Sequence, residues 1–300
     1  MNSVIKKRIE NLFIIYSALK NQYPKGDREL TISEIPESVY NSNAIENSTM
    51  TFEETTEILL YNRIKKDSDL REVFEVKNLG NVIEKLLNSP NEKLSINLVL
   101  ALHRMLLSGI DNNAAGRFRS GDEWVRVGSH VGANPDFTNQ LIFEAINIYN
   151  TDEKSYFLNK IALFHADFET IHPFCDGNGR MGRVLVNQQL MALGYPPIII
   201  RSKGKEQDYY SSLDYYDKTN SADKVADLFA LLLMESLHKR ITILSGNKII
   251  LLKDWANRNN VAPNIMNNKA RRQTIPAFRI EDKWYIREDF VDSEDNIELI

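Results

Sequence analysis

His172-Pro173-Phe174-Cys175-Asp176-Gly177-Asn178-Gly179-Arg180-Met181-Gly182-Arg183 is the stretch on which the reading of this 300-residue chain turns. On its N-terminal side Tyr156 to Ile171 places Ile161, Leu163, Phe164, Phe168 and Ile171 at helical spacing, and that pattern runs straight into His172. On its C-terminal side Arg180 to Leu193 reads as a second helix, closed by Gly194 with Pro196-Pro197 beyond. The stretch is therefore a polar, glycine-bearing loop between two apolar helices, and the core it belongs to is expected to be helical.

Working outward, Ile9, Leu12, Phe13, Tyr16 and Leu19 give an amphipathic helix over Ile5 to Leu19, with Pro24-Lys25-Gly26 read as a turn after it. A short helix over Glu37 to Glu46 stops at Asn47-Ser48. Thr51 with Glu54 three residues on makes a capping box for the next helix. Helical periodicity returns over Leu70 to Leu87 and Ile96 to Leu107, then over Phe137 to Tyr149 and Ser221 to Leu252. Between Gly116 and Pro135 the residues Phe118, Trp124, Val125, Val127 and Val131 among glycines suit a short hairpin or flap. Near the end, Leu251 to Asn259 and Asn264 to Arg272 read as helices and Phe278 to Ile286 as a hairpin around Glu-Asp-Lys.

The loop composition carries chemistry. Gly177 and Gly179 strip side chains from either side of Asn178, letting backbone N–H groups approach an anion at a helix start. Arg180 and Arg183, three apart, share a helix face and suit more than one phosphate. Asp176 stands just before that cradle, where a carboxylate repels phosphate unless a hard cation such as Mg²⁺ bridges the two. His172, with a side chain that titrates near neutrality, can accept the proton of a hydroxyl attacking an α-phosphate. Singly these residues are commonplace; one uninterrupted run holding all of them is not.

Composition narrows the partners. A net charge of −4 offers no global attraction to nucleic acid or membrane, and the single cysteine, Cys175, excludes intramolecular disulfides and thiolate metal clusters. The opening MNSVIKKRIENLF lacks the apolar core and cleavage site of a signal peptide, and no stretch of about 18 apolar residues occurs. A cytoplasmic protein with no membrane contact is expected.

The loop resembles the signature of Fic-domain proteins, His-x-Phe-x-Asp/Glu-Gly-Asn-Gly-Arg-x-x-Arg, with every fixed position present. The likeness runs over roughly Leu98 to Leu233 and includes Gly116-Arg117-Phe118-Arg119 and the flap after it. It implies an all-α fold: a Fic helical core with a β-hairpin flap, here followed by a small C-terminal unit similar to a winged helix-turn-helix. The expected division is 1–95 for an N-terminal helical region, 96–245 for the catalytic core and 246–300 for the winged unit.

The resemblance further implies protein adenylyltransferase activity, AMP passing from Mg²⁺-bound ATP to a tyrosine, threonine or serine hydroxyl of a target protein or of the chain itself. His172 becomes the base, Asp176 the Mg²⁺ ligand, Gly177, Asn178 and Gly179 the anion hole, Arg180 and Arg183 the triphosphate clamps, and Phe174 a buried anchor. The flap near Val125 to Gly132 takes a target segment by β-addition, and Tyr209 and Tyr210 flank the adenine. Gly177 sets the chain apart from a family branch that carries a lysine there and transfers phosphate.

Ser42-Asn43-Ala44-Ile45-Glu46-Asn47 resembles the family's inhibitory motif, Ser/Thr-x-x-x-Glu-Gly/Asn. Its physical content is that Glu46 can pair with Arg183 and take from the triphosphate the cation it needs. Lys269, Arg271, Arg272 and Arg279 cluster where a winged unit meets DNA phosphates, and DNA or a protein surface are both open as its partner, as is a homo-oligomer. Two other functions stay open: a nucleotide-sensing, DNA-binding transcription regulator, and a hydrolase or AMP-removing enzyme built on the same loop.

Overall fold

The structure is a computed structural model and describes residues 1–128 and 130–292. In chain order it places α1 (Ser3–Gln22), α2 (Pro24–Ser33), α3 (Ile35–Ile45), α4 (Phe52–Tyr61), α5 (Leu70–Asn88) and α6 (Ile96–Leu106), then the two-residue strands β1 (Arg126–Val127) and β2 (His130–Val131). After these come α7 (Thr138–Thr151), α8 (Phe157–Ile171), α9 (Asn178–Ala192), a single π-helical turn Glu206–Tyr210, α10 (Ser211–Thr219) and α11 (Asp223–Leu244). The chain then runs through β3 (Ile249–Leu251), α12 (Leu252–Arg258), α13 (Pro263–Arg271), β4 (Phe278–Ile280) and β5 (Lys283–Arg287).

Two compact units result. One gathers residues 34–193 and 199–228, the other 1–33, 194–198 and 229–300. Within this grouping α1 and α2 fall with the C-terminal elements, while the segment bearing Glu46 falls with the loop.

In the larger unit, side-chain caps open α4, α5 and α6. Thr51 accepts from the Glu54 N–H while Glu54 reaches back to Thr51, the expected capping box. Asp69 accepts from the Arg71 N–H at 2.7 Å to open α5, and Ser95 accepts from the Leu98 N–H at 3.2 Å to open α6. The buried stripes of these helices meet in one core, where Val76, Leu79, Val99, Leu102, Ile142, Phe168 and Phe174 are sealed from solvent. β1 and β2 pair antiparallel, Arg126 opposite Val131, so the expected flap is a minimal hairpin.

In the other unit, Trp255, Met266, Ala270, Ile275 and Ile286 form a separate small core under a three-stranded antiparallel sheet of order β3-β5-β4. Trp255 Nε1–H closes it by donating to the Phe290 carbonyl at 3.1 Å. Tyr16 of α1 donates to buried Asp27 of α2 at 3.0 Å. Of the cations expected to face DNA, Arg279 is forked onto Glu235 at 2.6–3.2 Å and stacked 4.6 Å from the Trp284 ring centre, and Lys269 is bound to Asp292. Arg271 and Arg272 are exposed. The acidic tail beyond residue 292 lies outside the described residues.

Two readings of the sequence are corrected. Pro24-Lys25-Gly26 is the first turn of α2, because proline's fixed φ and missing N–H suit the first helical position as well as a turn. The helix expected over Ser221 to Leu252 ends at Leu244: Gly246 takes φ +69°, and Ile249–Leu251 leaves as β3 to pair with β5.

Candidate active site

The loop is built by its own side chains before it can bind anything. Asn178 accepts from the Phe174 N–H at 2.8 Å and donates Nδ2–H to the Phe174 carbonyl at 2.7 Å, tying the loop into a closed ring at the start of α9. Gly177 sits at φ +77°, a conformation that strains any residue with a Cβ. Phe174 is fully buried, stacked 3.6 Å from the His103 ring and 5.2 Å from Phe118.

His103 escaped the sequence reading, Arg119 entered it only as part of the Gly116-to-Arg119 segment with no role assigned, and both hold the loop from behind. Gly116 N–H donates to His103 Nδ1 at 3.0 Å, so the ring proton lies on Nε2, which donates to the Asp176 carbonyl at 3.0 Å. Burial drives the His103 pKa down to about 4, keeping it neutral. Its signal was weak but present: it falls four residues after Val99 on the buried face of α6. Arg119, fully buried, donates to the carbonyls of Ile171 (3.0 Å), His172 (2.7 Å) and Ala133. The Gly116-to-Arg119 segment is thereby the backing plate of the loop.

His172 ends α8 in the left-handed region, φ +52°. Its Nδ1 lies 3.0 Å from the Glu169 carbonyl, which can only accept, so Nδ1 carries the proton and Nε2 the lone pair. His172 lines a cleft of about 490 Å³ together with Gly179, Arg183, Glu46, Tyr210 and Arg126 of the flap. Arg183, buried, donates from Nη2 to Glu46 at 2.7 Å and to the Ser42 carbonyl at 2.8 Å, and from Nε to the Ser42 hydroxyl at 3.0 Å. Burial raises the Glu46 pKa, yet Arg183 pulls harder and the net shift is downward, so Glu46 is ionised.

The carboxylate of Glu46 lies on Gly179 itself. A Cβ built there would meet Glu46 Oε1 at 2.2 Å. Asn47 follows at φ +65° and ends α3, and Lys205 Nζ–H donates to the Ile45 carbonyl at 2.8 Å and to Asn47 at 2.9 Å. Tyr210 donates its hydroxyl to the same Ile45 carbonyl at 3.0 Å. Tyr209 is buried, its hydroxyl 2.9 Å from His165 Nε2, so both tyrosines have committed their polar ends and offer the cleft only ring surface.

Arg180 and Arg183 leave the same helix start but face different partners. Arg180 pairs with Glu75 at 3.1 Å and Asp176 at 3.2 Å, inside a second, more acidic cleft of about 450 Å³. Glu169, buried beside Arg183, was not anticipated either; desolvation pushes its pKa up to about 8.

Residues 93–190 match the Fic/DOC family, and that span holds the loop, its backing plate and the flap. Those residues form a Fic domain. The protein adenylyltransferase Fic of Nematostella vectensis is 35% identical over 193 residues, which is 62% of this chain and 43% of that one. The chain thus spans less than half of that curated relative. A Fic domain containing signaling protein from Bacteroides thetaiotaomicron superposes with a TM-score of 0.72 at 25% identity, over 80% of this chain and 98% of that one. A Fic family protein from Desulfovibrio desulfuricans superposes with a TM-score of 0.63 over 98% of both chains, at 21% identity, a likeness of fold alone. Predominantly helical with a small hairpin, the Fic core has the architecture its sequence implied. Among the described residues no helix is long and apolar enough to cross a membrane.

Proposed function

We propose that this chain is a protein adenylyltransferase that moves AMP from Mg²⁺-bound ATP to a tyrosine, threonine or serine hydroxyl of a target protein or of itself, and that Glu46 restrains it. One observation carries the reading: the Nε2 face of His172, the anion cradle at Gly179 and the guanidinium of Arg183 border a single cleft, with a carboxylate lying in the cradle. The names of the curated relatives point the same way.

The acceptor hydroxyl gives its proton to His172 Nε2 as its oxygen forms the new bond to the α-phosphorus, and the bond from that phosphorus to the β-phosphate oxygen breaks, releasing pyrophosphate. The proton already on Nδ1, held by the Glu169 carbonyl, fixes the ring so that Nε2 is the accepting atom. Backbone N–H groups at the start of α9 and the two arginines take the phosphate charge.

Asp176 fits the expected Mg²⁺. It is one part-exposed carboxylate beside a phosphate-binding arginine, and no group of three or more ligating side chains occurs among the described residues. That suits a cation held by one carboxylate, water and substrate phosphate rather than by a protein cage. Asp176 would hold the Mg²⁺, which would supply positive charge against the leaving pyrophosphate. The exposed edge at Val131 is where a target segment could pair with the flap.

The test is incubation of wild type, His172→Ala and Glu46→Gly with Mg²⁺ and α-labelled ATP, read by intact mass and by gel. Label that rises about tenfold or more in Glu46→Gly, as loss of a close charge pair allows, and that disappears when His172→Ala is added, supports the reading. Free AMP with no labelled protein would point instead to a hydrolase. Salt-sensitive duplex binding with neither product would point to a regulator, a role for which two of the four expected cations are already committed to carboxylates.

A further inference from the structure

Two side chains outside the reacting centre, Arg71 and Glu75, close a ring of alternating charge with Asp176 and Arg180. Arg71, at the start of α5, donates from Nη2 to Asp176 Oδ2 and from Nε to Glu75 at 3.1 Å. Glu75 pairs with Arg180 at 3.1 Å, and Arg180 returns to Asp176 Oδ1 at 3.2 Å. The two oxygens of Asp176 are not equivalent. Oδ1 is held by the loop, accepting from the Gly177 N–H at 2.6 Å as well as from Arg180. Oδ2 is the atom left facing the acidic cleft, and Arg71 covers it.

A divalent cation that binds Asp176 through a single oxygen must therefore take Oδ2, and a guanidinium already stands there. Two positive groups within a few ångströms of each other on one carboxylate oppose each other. Arg180 is buried and fixed, whereas the Arg71 side chain is 56% exposed and can swing into solvent while keeping Glu75.

We propose that Arg71 is a competitor of the divalent cation at Asp176 Oδ2, so that the metal–nucleotide complex enters only by displacing it. This rests on Asp176 holding the cation, as proposed above. It is separate from the Glu46 contact, which occupies the arginine that takes phosphate; Arg71 occupies the carboxylate that takes metal. Both contacts come from residues preceding the matched 93–190 span, one to each half of a metal–triphosphate ligand.

The measurement is calorimetric titration of the full chain carrying Glu46→Gly with α,β-methylene-ATP, which cannot release pyrophosphate, with excess Mg²⁺ and separately with chelator. Arg71→Ala and Arg71→Gln should each bind the Mg²⁺ complex about 2- to 5-fold tighter at low ionic strength, the range of an exposed ion pair. They should gain nothing in chelator, and the difference should close in about 0.5 M KCl as the pair is screened. Equal or weaker binding of the Mg²⁺ complex by both variants, with Asp176→Asn still abolishing the Mg²⁺ dependence, overturns the role of Arg71 and leaves the metal site standing. An unchanged Mg²⁺ dependence in Asp176→Asn would instead remove the metal site and this proposal with it.

Discussion

Glu169 shows how a residue's role can be set by what surrounds it rather than by its type. Folded, it titrates near 8; unfolded, near the ordinary 4.5. Between those values the native chain keeps a proton that the unfolded chain has lost, so stability falls as pH rises through that window, by up to about 1.4 kcal/mol per pH unit. Glu169→Gln should flatten that slope, measured as the urea midpoint across the window; an unchanged slope would show that Glu169 is ionised in the native state. Such environments explain what the sequence disclosed and what it withheld. His172, Asp176, Gly177, Asn178, Gly179, Arg180 and Arg183 fall within one run of twelve residues, so the chemistry proposed for them is visible in one line of text. Arg71, Glu75, His103, Arg119 and Glu169 act through neighbours far along the chain, and no spacing announces that. Glu46 lies between these cases: its motif was readable, but that its carboxylate rests on Gly179 became visible only in three dimensions.

The helices with strong caps were the most legible elements, since Thr51-x-x-Glu54 and Gly194 write their boundaries locally. The π-turn Glu206–Tyr210 and strand β3 were not: the first shares its composition with an ordinary helix, and the second exists only because β5 offers it a partner. The loop before α9 depends on one side chain. Asn178→Ala leaves the Phe174 N–H and carbonyl without their present partners, and each orphaned buried group costs about 1–3 kcal/mol. A loss of about 2 kcal/mol or more in urea unfolding is expected, with Asn178→Asp, which keeps the acceptor, losing less. Asn178→Ala as stable as wild type would mean that solvent replaces both bonds.

Both compact units carry buried histidines, so acid should loosen the molecule as a whole. Desolvation lowers His103 and His238 to about 4 and His165 to about 3, against an ordinary 6.5. Below 6.5 the unfolded chain takes up protons that these three refuse in the native state, and stability falls as pH drops toward 4. Three histidines acting against Glu169 and Asp167, the two carboxyls that burial pushes up, place the stability maximum near pH 6.5, a prediction that a calorimetric Tm profile tests directly; a maximum near pH 4.5 would contradict it. The contact between Glu46 and Arg183 has a different kind of consequence. Both partners lie on one strip of polypeptide and in the same compact unit, so the acid confronts the arginine at a fixed effective concentration that dilution of the protein cannot reduce. On the reading proposed above, the triphosphate must compete with that undilutable contact, and a chain restrained in this way would respond to how much nucleotide surrounds it rather than to how much protein there is.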